Sequence, residues 1–131
     1  MLAITALYAG LNACILVALT VRVIGGRRAA GVSLGHGDDK ALERRMRGHG
    51  NATETIPIAL ILIALIEMLA APALVVHALG LMLTVGRLSH ARAFWSDTPK
   101  PFYRVFGMAL TLSMLALGAV GLTILALVRL L

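Results

Sequence analysis

Long apolar segments dominate this chain of 131 residues and restrict what it can fold into. Apolar residues make up 60% of the sequence, which is too large a share for a soluble domain of this length. Four segments, approximately 2–24, 51–70, 73–93 and 105–128, have the composition of transmembrane helices, which need about 20 mainly apolar residues. The sequence therefore predicts one all-α integral membrane domain over residues 1–131, an up-down bundle of four transmembrane helices.

Polar connections separate the predicted spans. Residues 25–46 and 94–104 are expected to form two basic loops, and Gly25-Gly26 is expected to end the first span at the membrane surface. The second helix is expected to begin within the first connection, near Lys40, and to break at Ala70-Ala71-Pro72. The second connection contains Trp95, Asp97 and two prolines, and Trp95 and Tyr103 are natural anchors at the membrane interface.

The basic residues are concentrated in these two connections. The chain has twelve Lys and Arg against six acidic residues, a net charge of +6. Seven of the cations lie around the first connection and four around the second, which leaves Arg129 elsewhere. Basic residues on alternate loops follow the positive-inside rule, so both loops are expected in the cytoplasm and both termini on the other side of the cell membrane. The charge thus indicates lipid headgroups rather than nucleic acid as a partner.

A polar stripe enters the second predicted span. Arg47, Asn51 and Glu54 are spaced i, i+4 and i+7, so their side chains share one helical face, which Arg44 extends by one turn. Pro57 follows within the same helix, and because it has no N–H group to donate to the carbonyl of Thr53, a local kink or a free carbonyl is expected beside Glu54.

The third predicted span carries Arg87 and His90 near its cytoplasmic end, at a depth similar to that of Glu54. A charged group in a span costs ~2.5 kcal/mol or more at mid-bilayer unless it is paired or faces the bundle interior. Two interpretations stay open: an ion pair between Glu54 and Arg87 that only joins two helices, or a site for an anion. The second is favoured because one carboxylate cannot neutralise the several arginines nearby.

The other reactive residue types indicate structure rather than chemistry. Cys14, the only cysteine, lies among apolar residues of the first span and is expected to be a small packing residue. Glu67 and His77 flank the Pro72 turn and are expected to pair across it. The histidines share no metal-ligand spacing with acids or thiols, so no metal site is expected.

Two stretches of the chain resemble a known family. The segment from Glu43 to Pro57 carries Arg47, then Asn four residues on, Glu three further and Pro three after that, and Arg27-Arg28 leads out of the first span. This pattern resembles the membrane-associated proteins of eicosanoid and glutathione metabolism, the MAPEG family, which includes microsomal glutathione transferases and leukotriene C synthase. The likeness is strongest to the short bacterial members and covers nearly the whole chain.

The resemblance implies a homotrimer that binds glutathione between neighbouring subunits near the cytoplasmic ends of the helices. It also implies a lipophilic electrophile or hydroperoxide as the second substrate, which enters from the bilayer. The binding residues carried over by motif are Arg27, Arg47, Asn51, Glu54, Arg87 and His90, and the catalytic ones are Arg28 and Arg104.

The resemblance also assigns roles to some of these residues. Glu54 would bind the amino group of glutathione, and Arg47 and Arg87 would each hold a carboxylate. Arg28 would lie near the thiol or the other carboxylate, and Arg104 would stabilise the thiolate. A nearby guanidinium favours the charged form of a thiol and so makes it a better nucleophile at neutral pH.

Two alternatives to a glutathione transferase or peroxidase are considered. Eukaryotic members have tyrosines where this chain has Thr55, His90 and Phe94, which favours a non-catalytic protein that binds lipids or a protein partner. A small drug exporter would need a carboxylate in the first span, and no acidic residue lies between Leu2 and Ile24.

Overall fold

The computed structural model describes residues 1–96 and 98–131, so Asp97 of the second connection lies outside the described residues. These residues form four helices: α1 (Ala3–Ala30), α2 (Lys40–Met68), α3 (Ala73–Trp95) and α4 (Pro101–Leu130). Each is long and apolar enough to cross a membrane. The predicted all-helical fold with four membrane-spanning helices is therefore confirmed.

The helices run alternately up and down, so the bundle has two distinct ends. At the basic end, α1 finishes next to the start of α2, and α3 finishes before the start of α4. At the opposite end, called the turn end, Arg129 near the C-terminus donates to the carbonyl oxygen of Leu69 at 3.2 Å. The N-terminus, the C-terminus and the short α2–α3 turn thus share the turn end.

Polar side chains attach α1 to the turn end, but not in the pairing expected from the sequence. Glu67 accepts hydrogen bonds from the backbone N–H groups of Ile4 (3.1 Å) and Thr5 (2.7 Å) and from the Thr5 hydroxyl (2.6 Å). Nδ1 of His77 lies 3.1 Å from the hydroxyl of Tyr8. The expected Glu67–His77 pair is therefore wrong, because the free N–H groups at the start of α1 are the stronger partners for the carboxylate.

The first helix runs further than its glycines suggested. It continues through Gly25-Gly26 to Ala30 and ends at Gly31, which has a left-handed φ of 65°. A Cβ on Gly26 would lie 2.9 Å from Cδ1 of Leu42, so this glycine permits a close approach of α2 rather than ending the helix. The start of α2 is capped by Asp39, whose Oδ1 accepts from the N–H of Ala41 at 2.8 Å. The helices therefore occupy much of the expected 25–46 loop.

The second helix is continuous through Pro57 to Met68, so the proline does not divide it. At the other basic connection, α3 extends to Trp95 and α4 begins at Pro101, so both helices reach into the expected loop 94–104. Proline suits the first turn of a helix, where its missing N–H would have no intrahelical acceptor.

Buried apolar side chains from all four helices form the core. One cluster, which includes Ile63, Leu83 and Met114, joins α2, α3 and α4 toward the turn end. A second cluster, which includes Ile15, Ile56 and Ala91, joins α1, α2 and α3. Cys14, which was expected to be a small packing residue, is not part of this core and is exposed on α1.

The helices α3 and α4 cross closely near the basic end. A Cβ on Gly107 would lie 2.6 Å from the carbonyl oxygen of Gly86, and one on Gly86 would lie 2.7 Å from Oγ1 of Thr111. Small residues of this kind let the backbones of membrane helices approach closely. This crossing fixes the position of α4 relative to the part of α3 that carries Arg87 and His90.

We expect Gly107→Ala to lower the free energy of unfolding by about 1–3 kcal/mol, because the methyl group meets backbone atoms that cannot rotate away. Thermal unfolding in detergent measures the effect. Gly121→Ala on the same helix is the matched control, since a Cβ there meets no atom within 4 Å. Equal stability of the two variants would contradict the close crossing.

Candidate functional site

A cavity of about 350 Å³ lies near the basic end, between α2, α3 and the start of α4. This size lies within the ~300–1,000 Å³ range of small-molecule sites. We call it the basic cavity, and its lining residues are Arg44, Arg47, Gly50, Asn51, Glu54, His90, Phe94 and Arg104. Five of the eight site residues predicted from the sequence, namely Arg47, Asn51, Glu54, His90 and Arg104, thus share one cavity.

The polar stripe on α2 supplies one wall of the basic cavity. Arg47, Asn51 and Glu54 face it together because their spacing places them on one side of the helix. Gly50, which has no side chain, leaves room between them. Arg47 is 74% exposed and forms an ion pair with Glu43, one turn earlier, at 3.2 Å. Such an exposed pair is weak, so Arg47 is free to exchange it for a ligand.

Behind this wall, Arg87 is almost completely buried, with 1% of its surface exposed. Its Nη1 donates to Oδ1 of Asn51 (2.8 Å) and to Oγ1 of Thr55 (3.0 Å), and its Nε donates to Oγ1 of Thr111 (3.0 Å). The guanidinium therefore joins α2, α3 and α4 through neutral oxygens. The ion pair between Glu54 and Arg87 is not formed, and Glu54 is exposed at the cavity instead.

This network fixes the orientation of the Asn51 amide. Because Arg87 can only donate, the amide oxygen must face it, which turns the NH₂ group of Asn51 away from Arg87. Among the described residues no acceptor binds that NH₂ group, and Asn51 lines the cavity. The amide is thus a donor available to a ligand.

The floor of the basic cavity is formed by Phe94 with two guanidinium groups around its ring. Cζ of Arg44 lies 5.9 Å from the ring centroid and Cζ of Arg104 lies 5.7 Å from it. The His90 ring lies 4.9 Å from the same ring. Cation–π attraction holds both arginines near the cavity without neutralising their charge.

Sequence reasoning did not count Arg44 and Phe94 among the site residues. Arg44 continues the α2 stripe one turn before Arg47, which was the available signal. Phe94 had one signal, because it occupies a position where eukaryotic members of the family have a tyrosine, although an aromatic residue at the end of a membrane helix is normally an interface residue.

The cavity wall carries more positive than negative charge. Three guanidinium groups, those of Arg44, Arg47 and Arg104, face one carboxylate, that of Glu54, which leaves an excess of two positive charges when histidine is neutral. Such a wall is complementary in charge to a ligand that carries several anionic groups and one cationic group.

Three predicted site residues do not line the basic cavity of this chain. Arg87 lies behind Asn51, as described above. Arg27 lines a separate cavity with Thr20 and His49 on α1 and α2, and Arg28 is exposed near the end of α1. Their roles toward a ligand stay predictions. No group of three or more His, Cys, Asp or Glu that could hold a metal ion occurs among the described residues.

Comparison with known proteins identifies the family and two relatives of this chain. The model of the MAPEG family matches residues 5–126. Inner membrane protein YecN of Escherichia coli strain K12 is 40% identical over 91 residues, which cover 70% of each chain, and its counterpart in Escherichia coli O6:H1 strain CFT073 gives the same values. No solved structure matches the chain. These relatives and the four apolar helices support the predicted multi-pass location in the inner membrane.

Proposed function

The chain belongs to the MAPEG family, and on that premise we propose that it binds glutathione, or a similar anionic thiol, in the basic cavity. There it activates the thiolate toward lipophilic electrophiles or hydroperoxides. The observation that carries this proposal is the wall of three guanidinium groups and one carboxylate around a donor amide. The activity is therefore that of a membrane-bound glutathione transferase or peroxidase.

The charges of glutathione complement those of the wall. Glutathione has one ammonium group, two carboxylates and a thiol that reacts as the thiolate. Glu54 offers a partner for the ammonium, and the three arginines outnumber the two carboxylates by one. The remaining guanidinium is available to the thiolate. The net negative charge of glutathione with an ionised thiol therefore balances the net positive charge of the wall.

Within this proposal each residue has a distinct part. Arg47 and Arg44 on α2 bind carboxylates, Asn51 donates its NH₂ group to the peptide, and Arg104 at the start of α4 stabilises the thiolate. The thiol proton passes to solvent. The sulfur then forms a bond to the electrophilic carbon while the leaving group departs with the electron pair. With a hydroperoxide, the sulfur instead takes the terminal oxygen to give glutathione sulfenic acid, and the O–O bond breaks to release an alkoxide that takes a proton from solvent. A second glutathione then attacks the sulfenic sulfur, which gives the disulfide and water.

The proposal extends to a second copy of the chain. Arg27 and Arg28 lie away from the basic cavity of their own subunit, and the end of α1 is exposed. In the homotrimer that the family resemblance implies, these arginines reach the cavity of a neighbour. The basic end then faces the cytoplasm, where the positive-inside rule places it, with both termini on the other side.

We expect Glu54→Gln to weaken glutathione binding by about tenfold, about 1.4 kcal/mol, because the amide no longer carries the charge that attracts the ammonium group. Isothermal titration with purified protein in nanodiscs measures the affinity. A glutathione analogue without the α-amino group is the matched ligand, and the variant should bind it at least as tightly as the original chain, because the analogue has no ammonium group for Glu54 to attract.

Three outcomes of this titration decide the proposal. An equal loss for both ligands would contradict the pairing of Glu54 with the ammonium group. Absence of heat with glutathione, together with saturable binding of an apolar acid, would favour the non-catalytic lipid binder instead. Tight binding of glutathione without turnover of any electrophile or peroxide would contradict the catalytic part of the proposal.

A further inference from the structure

A second and larger cavity, about 670 Å³, lies between α1 and α3 and has no lining residue in common with the basic cavity. We call it the α1–α3 groove. It is lined by Cys14, Ile15, Ala18, Leu88, Ala91, Arg92 and Trp95. The glutathione site proposed above does not use this groove, and only Ile15 and Ala91 of its lining belong to the buried core.

Most of the groove is apolar and lies within the span. The small side chains of Cys14 and Ala18, one helical turn apart on α1, leave a gap that faces Leu88 and Ala91 on α3. Cys14 and Leu88 are exposed, so the gap opens sideways into the surroundings of the bundle. Since an apolar gap offers water almost no hydrogen-bond partners, its natural filling in a membrane is a hydrocarbon chain.

The end of the groove toward the basic end has a different character. Arg92 lines it, and Trp95 follows one turn later at the end of α3. Cζ of Arg22 lies 4.5 Å from the centre of the Trp95 ring, and Nε of Arg22 is buried without a hydrogen-bond partner. Within the described part of the chain, neither Arg22 nor Arg92 forms an ion pair with an acid.

We propose that the α1–α3 groove is a binding site for an anionic phospholipid. One acyl chain occupies the apolar gap beside Ala18, and the phosphate lies between Arg22 and Arg92 above the Trp95 ring. Tryptophan and arginine at the end of a membrane helix lie at the level of the lipid phosphates. The basic end of the groove therefore matches the position of a phosphate, and the apolar gap matches that of an acyl chain. The unpaired guanidinium groups favour a lipid with net negative charge over a zwitterionic one.

The test compares lipid affinities in nanodiscs of zwitterionic phosphatidylcholine. Phosphatidylglycerol is titrated in, and its binding is followed by native mass spectrometry and by quenching of the single tryptophan with a headgroup-brominated lipid. We expect the original chain to prefer phosphatidylglycerol over phosphatidylcholine by about tenfold, a difference of about 1.4 kcal/mol. The double variant R22Q/R92Q should lose this preference, and Arg129→Gln at the turn end should keep it.

A second variant separates the contribution of the acyl chain to lipid binding from that of the headgroup. Ala18→Phe fills the apolar gap and should reduce phosphatidylglycerol binding, although both arginines remain. Glycerol phosphate, which has the charge but no chain, should not displace the lipid. Displacement by glycerol phosphate, retention of the preference in the double variant, or tighter binding of oleate than of phosphatidylglycerol would each overturn the proposal.

The lipid site and the glutathione site can fail independently. Neither Arg22 nor Arg92 lines the basic cavity, so R22Q/R92Q should bind glutathione with unchanged affinity. A parallel loss of lipid and glutathione binding in this variant would contradict the separation of the two sites.

Discussion

Replacement of Arg104 by alanine is expected to reduce glutathione turnover at neutral pH by about 10- to 100-fold, while glutathione still binds. Arg104 lines the basic cavity at the start of α4, and its guanidinium is held near Phe94 rather than by an acid. In the proposed reaction this positive charge lowers the pKa of the bound thiol. Without the charge, less thiolate is present at neutral pH.

The sign of the pH dependence follows from this role. In the original chain the thiol ionises at a lower pH, so the rate reaches its plateau earlier as the pH rises. In Arg104→Ala the same plateau is approached only at higher pH, because the pKa of the bound thiol is no longer lowered by the guanidinium. The rate of conjugation of an apolar aryl halide, measured as a function of pH, is therefore the informative readout.

Two control variants accompany Arg104→Ala. Arg129→Ala removes an arginine from the other end of the same helix and should leave the rate unchanged. Arg104→Lys keeps the charge and should recover part of the rate. A loss in Arg104→Ala that is the same at every pH would indicate disturbed binding and contradict a role in ionisation.

Replacement of Arg87 by methionine is expected to weaken glutathione binding by about 10- to 100-fold, roughly 1.4 to 2.8 kcal/mol, with little loss of stability. Arg87 is a positioning residue, because its Nη1 fixes the Asn51 amide that offers its NH₂ group to the cavity. In the variant this amide rotates freely, and the excess positive charge near the site falls.

The folded state should tolerate the change for a specific reason. The Thr55 hydroxyl still donates to the carbonyl oxygen of Asn51 (2.7 Å), and the Thr111 hydroxyl still donates to that of Gly107 (2.9 Å). Because Arg87 has no acidic partner, replacing it with an apolar side chain of similar length removes the desolvation cost of a buried charge and leaves no opposite charge behind. Thermal unfolding and glutathione titration on the same preparation separate the two effects.

Arg92→Met is the matched control for Arg87→Met, since it removes an exposed arginine from the same helix. It should leave the glutathione affinity unchanged. Affinity within twofold of the original in Arg87→Met would contradict the positioning role, and complete unfolding would contradict the expected tolerance.

The features predicted correctly from the sequence depend on periodicity within one helix. Four spans follow from apolar length, and the shared face of Arg47, Asn51 and Glu54 follows from the pitch of α2. These local properties need no knowledge of how the helices pack. The gathering of His90 and Arg104 with them also required the family pattern, because loop length does not fix the register between α3 and α4.

The features that sequence reasoning missed depend on how one helix is rotated against another. The partners of Arg87 are neutral oxygens on α2 and α4 rather than Glu54, and no spacing in the sequence distinguishes the two arrangements. A glycine in the sequence also does not show whether a helix ends there or continues. At Gly26 it permits contact with Leu42 inside a helix, whereas at Gly31 it ends the same helix.

In the proposed mechanism the basic cavity, with its excess of guanidinium groups, prefers the thiolate of a bound peptide over the neutral thiol. Ultraviolet difference spectroscopy detects this preference when glutathione is titrated into the purified protein in nanodiscs at neutral pH. We expect a thiolate absorbance band that saturates with the bound glutathione and is absent in Arg104→Ala. Saturated binding with no thiolate band in the original chain would contradict this mechanism.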